Sequence, residues 1–264
     1  MVRIAVIGCG NLGKSVIKSA IQSGFDRHEI RGTVKSIRKN TDKFIYPSSE
    51  NVNIASKSDS IFLCVKPFQI KDVLLSIKNE LKPHQTVISM AAGVPVSFLK
   101  LYLPKDQPLI RCMPSLSVEC NIGIIGSFSE NIGSSCIRVT LSPIFSGSTF
   151  LPFETENKID ACTPILGSGP AFISYFVKQM ISSGMLFGLS NEESKIILSQ
   201  TLIGTAKMMR YMTPDEIMSR VASAGGCTEA GLLKMTREGC TDIFRDSLEE
   251  SFQRLKDISR KIED

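Results

Sequence analysis

The N terminus carries the sequence feature that most constrains the fold. A short apolar run, residues 2–7, is followed at once by G-C-G-N-L-G and then by a helical pattern as far as Gly24. A G-x-G-x-x-G motif between a strand and a helix is typical of a dinucleotide-binding βαβ unit. In that unit Gly8 makes the turn, Gly10 admits a pyrophosphate, and Gly13 lets the helix pack closely on the strand. A glycine-rich turn that binds no ligand is the alternative interpretation.

The first 155 residues alternate short apolar runs with helical patterns, which predicts a doubly wound parallel sheet of the Rossmann type. Ligand-binding loops in such a sheet lie at the carboxyl ends of the strands. Those loops are predicted at residues 8–13, 66–67, 91–93 and 113–115. The later strands are expected at residues 29–34, 60–65, 86–90, 109–112, 123–128 and 149–153.

The end of the second strand indicates which cofactor is bound. A dinucleotide that has no 2′-phosphate on its adenosine ribose usually meets an acidic residue at this position. This chain offers Thr33, Lys35 and Ser36 instead, followed by Arg38 and Lys39. Hydroxyl groups and cations suit a 2′-phosphate dianion, so NADP(H) is favoured and NAD(H) is the second choice. A solvated basic loop is the alternative.

Strand signals stop after about residue 155, and the remaining chain is predicted to be all helical. Capping boxes that begin at Ser190 and at Thr213 each mark a helix start. We therefore divide the chain into a dinucleotide-binding domain, residues 1–155, and a helical domain, residues 156–264.

The helix that follows Ser190 is apolar on more than one face. Its apolar residues are Ile196, Ile197, Leu198, Leu202, Ile203, Ala206, Met208 and Met209. A helical domain of this size cannot bury all of these side chains internally. Burial against a second copy is the favoured explanation, which predicts a homodimer, and packing on the first domain is the alternative.

A glycine pair, Gly225 and Gly226, lies in the segment RVASAGGCTEAGL. Glycines leave the backbone bare, so that a ligand can approach it closely. Thr228 is predicted to be the N-cap of a helix over residues 229–237. Because a helix N-terminus presents unpaired N–H groups, this position suits a carboxylate. The alternative is an ordinary turn between helices with a threonine cap.

Composition excludes several classes of function. The excess of five basic residues over acidic ones is too small and too dispersed for a nucleic-acid partner. No apolar run approaches the length of a membrane span. Eight cysteines without a C-x-x-C pair suit free thiols in the reducing cytoplasm. With His28 and His84 as the only histidines, histidine-based metal sites and triads are disfavoured, and no metal is expected.

Several short segments together resemble the pyrroline-5-carboxylate reductase family along essentially the whole chain. They are IGCGNLG, FLCVKP, SMAAGV, RCMP, LGSGPA and ASAGGCTEAGL. The resemblance implies a Rossmann domain followed by an all-α dimerisation domain that interlocks with that of a partner subunit. It also implies reduction of the ring C=N bond of 1-pyrroline-5-carboxylate to proline, in proline biosynthesis, with NAD(P)H.

The resemblance also assigns site residues. The implied cofactor contacts are Gly8, Cys9, Gly10, Asn11, Leu12, Lys35, Ser36, Asn51, Val65, Lys66, Pro67, Ala91, Ala92 and Gly93. The implied substrate contacts are Glu156, Ser168, Gly225, Gly226, Cys227 and Thr228. The hydroxyl group of Thr228 is the implied catalytic group, as an oriented hydrogen-bond donor or relay to the imine nitrogen.

The chain departs from the family pattern in two places. The usual M-P-N-T-P reads M-P-S-L-S, which places Ser115 where the family has asparagine. Glu229 adds a negative charge to the helix start that should bind a carboxylate. These departures keep two alternatives open: a related NADP-dependent imine or small-keto-acid reductase, and a non-catalytic nucleotide-binding paralogue with a regulatory role. The sequence also leaves open a higher oligomer of dimers.

Overall fold

The computed structural model describes residues 3–38 and 41–263. Its N-terminal part forms an eight-stranded sheet. The strands are β1 (Ile4–Ile7), β2 (Ile30–Val34), β3 (Ile45–Pro47), β4 (Ser60–Leu63), β5 (Thr86–Ser89), β6 (Leu109–Pro114), β7 (Ile124–Phe128) and β8 (Thr149–Pro152). The helices between them are α1 (Asn11–Gln22), α2 (Asn51–Ser56), α3 (Ile70–Ile77), α4 (Val96–Leu101) and α5 (Ser134–Leu141).

The strand order places the site of ligand binding. The order is β3-β2-β1-β4-β5-β6-β7-β8, so the chain builds outward from β1 in one direction and then resumes on its other side with β4. The crevice between β1 and β4 is therefore the topological switch point, where such sheets bind ligands. The Rossmann-type architecture predicted from the sequence is confirmed.

One strand pair departs from the predicted parallel sheet. β6 pairs with β7 antiparallel, with Arg111 opposite Phe128, whereas all other neighbouring strands among the described residues are parallel. A parallel pair needs a crossover of about a dozen residues or more. The connection here contains only a short 3₁₀ turn, Leu116–Cys120, so the chain returns directly.

The sheet is covered on both faces, which explains its continuous apolar strands. β1 and β4 are buried along their whole length. Alternate residues of each strand contribute to two separate apolar clusters, so Ile7 and Leu63 belong to one and Val6 and Phe62 to the other. This two-sided burial fixes the positions of the strand ends, and therefore the positions where the following loops begin.

The C-terminal part is all helical, as predicted. Its helices are α6 (Asn157–Leu166), α7 (Gly169–Leu186), α8 (Asn191–Met208), α9 (Pro214–Val221), α10 (Cys227–Arg237) and α11 (Cys240–Glu263). Both predicted capping boxes are confirmed: the hydroxyls of Ser190 and Thr213 accept from the amides of Glu193 and Glu216, whose carboxylates bond back. Among the helices described, none is long and apolar enough to cross a bilayer.

The chain forms two compact units, which do not follow the predicted boundary. Unit 1 contains Met1–Pro170 together with Ser251–Asp264, and unit 2 contains Ala171–Glu250. α6 belongs to unit 1 because it packs on β6 and β7. The boundary at residues 155 and 156 remains a prediction about where the helical domain begins in the sequence.

Candidate active site

The turn after β1 has the geometry that its glycines predict. Gly8 has a φ of 98°, and a Cβ atom there would lie 2.8 Å from the backbone carbonyl carbon of Cys64 in the neighbouring strand connection. A Cβ atom on Gly13 would lie 2.3 Å from the carbonyl oxygen of Gly8. Only glycine fits at either position, so the turn and the close approach of α1 to β1 both depend on this motif.

Gly10 is a glycine for a different reason. A Cβ atom at this position would meet no neighbouring atom of the described residues within 4 Å, so their packing does not demand a glycine here. Gly10 is also the N-cap of α1, and this helix has neither a side-chain cap nor an acidic residue in its first turn. Open space beside unpaired helix N–H groups fits a pyrophosphate. Gly10 and Asn11 are thus placed to hold the diphosphate of a dinucleotide.

A basic cavity adjoins this turn at the end of β2. Its volume is about 740 Å³, and it is lined by Cys9, Gly10, Asn11, Lys14, Val34, Lys35, Ser36, Arg38, Thr41, Asp42 and Ile45. Lys14, Lys35 and Arg38 oppose the single carboxylate of Asp42 among these residues. Lys39, the other predicted cation, lies outside the described residues. The excess of positive charge, with the Ser36 hydroxyl beside it, suits a phosphate ester on the ribose.

A second cavity of about 500 Å³ brings together Gly8, Cys9, Gly10, Lys35, Asn51, Val65 and Lys66 from the predicted cofactor set. Asn51 is held in it by Thr33, whose hydroxyl donates to Oδ1 of Asn51 at 2.6 Å. Thr33 is 1% exposed. The expectation that Thr33 would itself meet the ribose phosphate is therefore wrong, because its hydroxyl is committed to orienting Asn51.

The remaining predicted cofactor residues are not among those that line these two cavities. Leu12, in the first turn of α1, packs against the apolar core, and Pro67 begins a 3₁₀ turn immediately after Lys66. In the loop after β5, Ala91 and Gly93 are buried and Ala92 is partly exposed. A Cβ atom on Gly93 would lie 3.0 Å from the carbonyl oxygen of Leu255, so the end of α11 packs directly on this loop.

The thiols at this site are not nucleophiles. Burial raises the pKa of the Cys9 thiol, which lines both cavities, to about 12. Burial also raises the pKa of Cys64 and of Cys112. Because thiolate is the reactive form of cysteine, these protonated groups offer no covalent chemistry at neutral pH.

The glycine-pair loop lies in unit 2, and its helix starts two residues earlier than predicted. α10 begins at Cys227 with Gly226 as its N-cap, and no side chain caps it. Thr228 is the second helical residue, so its predicted role as N-cap is wrong. The turn is closed by the backbone instead: Gly225 has a φ of 69°, and the Gly226 amide donates to the Ser223 carbonyl at 2.9 Å.

The start of α10 presents unused hydrogen-bond donors. Within the described chain, nothing accepts a hydrogen bond from the backbone N–H groups of Cys227, Thr228 and Glu229 or from the Thr228 hydroxyl. The carboxylate of Glu229 turns back on the loop, where Oε2 accepts from the Gly225 amide at 2.7 Å. The loop therefore combines an anion-binding helix start with one adjacent negative charge.

Glu156 and Ser168, the other predicted substrate contacts, lie in unit 1 and bond to the protein itself. Oε1 of Glu156 accepts from the Val96 amide at 2.7 Å and from Arg111 at 2.6 Å. The hydroxyls of Ser168 and Ser251 lie 3.3 Å apart. Their roles toward a substrate remain proposals.

Sequence reasoning missed a buried charge cluster next to Glu156. Arg111 is 2% exposed and donates to Glu156 and, at 2.6 Å, to Oδ1 of Asp160. Lys256 of α11 donates to the other oxygen of Asp160 at 3.1 Å. An arginine inside an otherwise apolar strand was the signal that could have revealed it, because arginine is almost never fully buried unless paired.

Ser115, at the end of β6, is also committed internally. Its hydroxyl accepts from the Ile124 amide at 3.2 Å and lies 2.7 Å from the hydroxyl of Ser117. The serine thus closes the corner between β6 and β7, where the family pattern has asparagine.

Comparisons with known proteins find related oxidoreductases for both the N-terminal and the C-terminal part of the chain. The family model described as pyrroline-5-carboxylate reductase dimerisation matches residues 156–258. The model described as NADP oxidoreductase, coenzyme F420-dependent, matches residues 3–93. A curated relative, pyrroline-5-carboxylate reductase of Pseudomonas aeruginosa, is 29% identical, and the alignment covers 98% of each chain.

Solved structures give the same result. The pyrroline-5-carboxylate reductase of Coxiella burnetii has a TM-score of 0.82 and 26% identity, with 98% of each chain covered. The Plasmodium falciparum pyrroline carboxylate reductase, solved with NADP bound, has a TM-score of 0.89 and 22% identity over 98% of each chain, and supports the fold. With a dinucleotide cradle at the switch point and a helical region that matches the dimerisation model, the chain is similar to pyrroline-5-carboxylate reductases along almost its whole length.

Proposed function

We propose that this protein reduces the ring C=N bond of 1-pyrroline-5-carboxylate to proline with a nicotinamide cofactor. One observation carries the proposal: the described residues include both a glycine cradle for a dinucleotide and an uncapped helix start whose threonine hydroxyl bonds to none of them. The cofactor supplies the hydride when it is bound. The residues that would hold it are those of the glycine turn, the basic loop after β2, and Asn51.

The protein's own contribution is to position the substrate and to donate a hydrogen bond to its ring nitrogen as the nitrogen gains its proton. The open N–H groups of Cys227 and Thr228 are suited to hold the substrate carboxylate. The Thr228 hydroxyl then donates a hydrogen bond to the ring nitrogen, which must end the reaction protonated. A threonine hydroxyl does not ionise at neutral pH, so it acts as an oriented donor or relay.

The test is an assay of the purified protein with 1-pyrroline-5-carboxylate and NADPH, in which the loss of reduced-nicotinamide absorbance is followed. Substrate-dependent oxidation of NADPH, with proline as the product, is the expected result. Calorimetric binding of NADPH without oxidation on addition of the substrate would contradict the proposal and favour a non-catalytic paralogue.

NADPH is proposed to be the preferred cofactor, because three cations oppose one carboxylate in the cavity after β2. Replacing Lys35 by Glu is expected to raise the KM for NADPH by roughly 10- to 150-fold, since one charge-assisted contact contributes about 1.5–3 kcal/mol. The KM for NADH should change much less. Lys43→Glu is the matched control, because Lys43 is a nearby cation that does not line this cavity. Better use of NADH than of NADPH by the unmodified protein would refute the preference.

We propose that the functional unit is a homodimer formed through unit 2. Most of the apolar residues of α8 and its C-cap, Met209, are exposed in the single chain: Ile196, Ile197, Leu202, Ile203, Met208 and Met209. Leu202 also lines an open groove of about 480 Å³ that runs along α7. Apolar area of this extent, continuous over two helices, indicates an interface with another chain.

A charged residue in this groove is expected to prevent folding of the protomer. Leu202→Glu should yield aggregated or unfolded chains, because obligate homodimers often have no stable folded monomer. Gln200→Glu, at an exposed polar position of the same helix, should have no such effect. Light scattering at micromolar concentration checks both variants, and a monomeric unmodified protein would rule out the proposed dimer.

A further inference from the structure

Glu229 places an uncompensated negative charge inside the loop that is proposed to bind the substrate. Its carboxylate accepts from the Gly225 amide, two residues before the helix start, instead of pointing away from the loop. In the described chain, no lysine, arginine or histidine lies within ion-pair distance of it. The charge therefore borders the N–H groups of Cys227 and Thr228 without a basic partner.

We propose that Glu229 is a specificity-determining residue, which weakens binding of ring imines that carry a carboxylate relative to the same ring without one. This inference rests on the proposed function, because it concerns the same loop. A substrate carboxylate on the open N–H groups would lie close to the Glu229 carboxylate and be repelled by it. A ring without the carboxylate avoids that repulsion, and its nitrogen still accepts the hydrogen bond from the Thr228 hydroxyl.

The size of the effect follows from Coulomb's law. Two like charges about 6 Å apart, at an effective dielectric constant of about 40, repel each other enough to weaken binding by about tenfold. Removing the charge should therefore lower the KM for 1-pyrroline-5-carboxylate by roughly tenfold. The KM for 1-pyrroline, the same ring without the carboxylate, should hardly change.

The experiment separates the charge of Glu229 from its structural hydrogen bond. Glu229→Gln keeps an oxygen that can accept from the Gly225 amide but removes the negative charge. KM values for both imines are measured for the unmodified protein and for this variant. Glu238→Gln is the control, because Glu238 lies at the other end of α10, where it is exposed and pairs with Lys234 at 2.8 Å. The control should leave the ratio of the two KM values unchanged.

Binding of proline and of pyrrolidine to the NADP-loaded protein gives a readout that does not depend on turnover. Calorimetry should show tighter binding of proline, but not of pyrrolidine, to the Glu229→Gln variant. If both imines are reduced and the KM ratio stays the same in this variant, the inference is overturned while the proposed function stands. If neither imine is reduced, the proposed function fails, and unchanged or absent proline binding to the variant then overturns the inference as well.

Discussion

Replacing Thr228 by alanine is expected to lower kcat by roughly one to three orders of magnitude; loss of one oriented donor from an oxyanion hole costs about two to three orders. The affinity for NADPH should be preserved, because the glycine cradle lies in the other unit of the chain. A hydrogen bond made only in the transition state lowers kcat and kcat/KM together. Steady-state kinetics with varied imine and NADPH concentrations measure all of these quantities.

The melting temperature of this variant should change little. A threonine N-cap would contribute about 0.5–2 kcal/mol to stability. Thr228 is not the cap, and its hydroxyl bonds to no group in the described chain, so that contribution is absent here. A large kinetic effect with a small thermal effect therefore distinguishes a catalytic hydroxyl from a structural one.

Two further variants serve as controls for Thr228→Ala. Thr228→Ser keeps the hydroxyl and should retain most of the activity. Thr236→Ala removes a threonine of the same helix whose hydroxyl donates to the Leu232 carbonyl, and it should leave kcat unchanged. If Thr228→Ala folds and turns over at the unmodified rate, the hydroxyl has no role in the reaction, and the proton reaches the nitrogen from water.

Features that depend on neighbouring residues could be predicted from the sequence. The turn at Gly8 and the close contact at Gly13 follow from φ/ψ preferences and from the space that a Cβ atom needs. The capping boxes at Ser190 and Thr213 follow from hydrogen bonds that span three residues. Each of these signals spans at most six consecutive residues, so it can be recognised without knowing which elements are neighbours in the fold.

Features that depend on distant residues could not. The salt bridge between Arg111 and Glu156 joins two elements that the sequence does not show to be neighbours. The resemblance located Glu156 near the active site but gave no information about which group its carboxylate would bind.

The predicted start of α10 was wrong for a related reason. Threonine is a common N-cap, so Thr228 was a reasonable expectation from residue type alone. The carbonyl of Ser223 closes the turn earlier, however, and Glu229 rather than Thr228 supplies the side chain that bonds the loop. Several polar residues within one turn compete for the same backbone donors, and residue preferences do not decide which of them is used.

The cluster around Arg111 carries the largest expected effect on stability. Arg111→Met is expected to lower the free energy of unfolding by about 3–5 kcal/mol, because it leaves the largely buried carboxylate of Glu156 without a cation and leaves Asp160 with Lys256 alone. The side chains of Glu156 and Asp160 are only 22% and 13% exposed, so solvent screens them weakly. In a protein of this size the melting temperature falls by roughly 2–4 °C for each kcal/mol.

Lys256→Met is the matched control for this variant. Lys256 bonds the same aspartate, but its side chain is 36% exposed, and an ion pair of this kind contributes only about 0–1 kcal/mol. Its melting temperature should therefore stay within a few degrees of that of the unmodified protein, as measured by differential scanning calorimetry. A loss as large as that of Arg111→Met would mean that the packing of α11, rather than the buried charge, determines the stability of this region.

Neutralising the stranded carboxylates tests the cause directly. Most of the cost of removing one partner of a buried pair comes from the charge left behind. Adding Glu156→Gln and Asp160→Asn to Arg111→Met should therefore recover part of the lost stability, because both amides still offer an oxygen as acceptor. The amide oxygen at position 156 can also keep the hydrogen bond from the Val96 amide, which holds the start of α4 beside the loop after β5. A triple variant no more stable than Arg111→Met alone would show that the arginine stabilises the sheet through packing of its side chain and not through its charge.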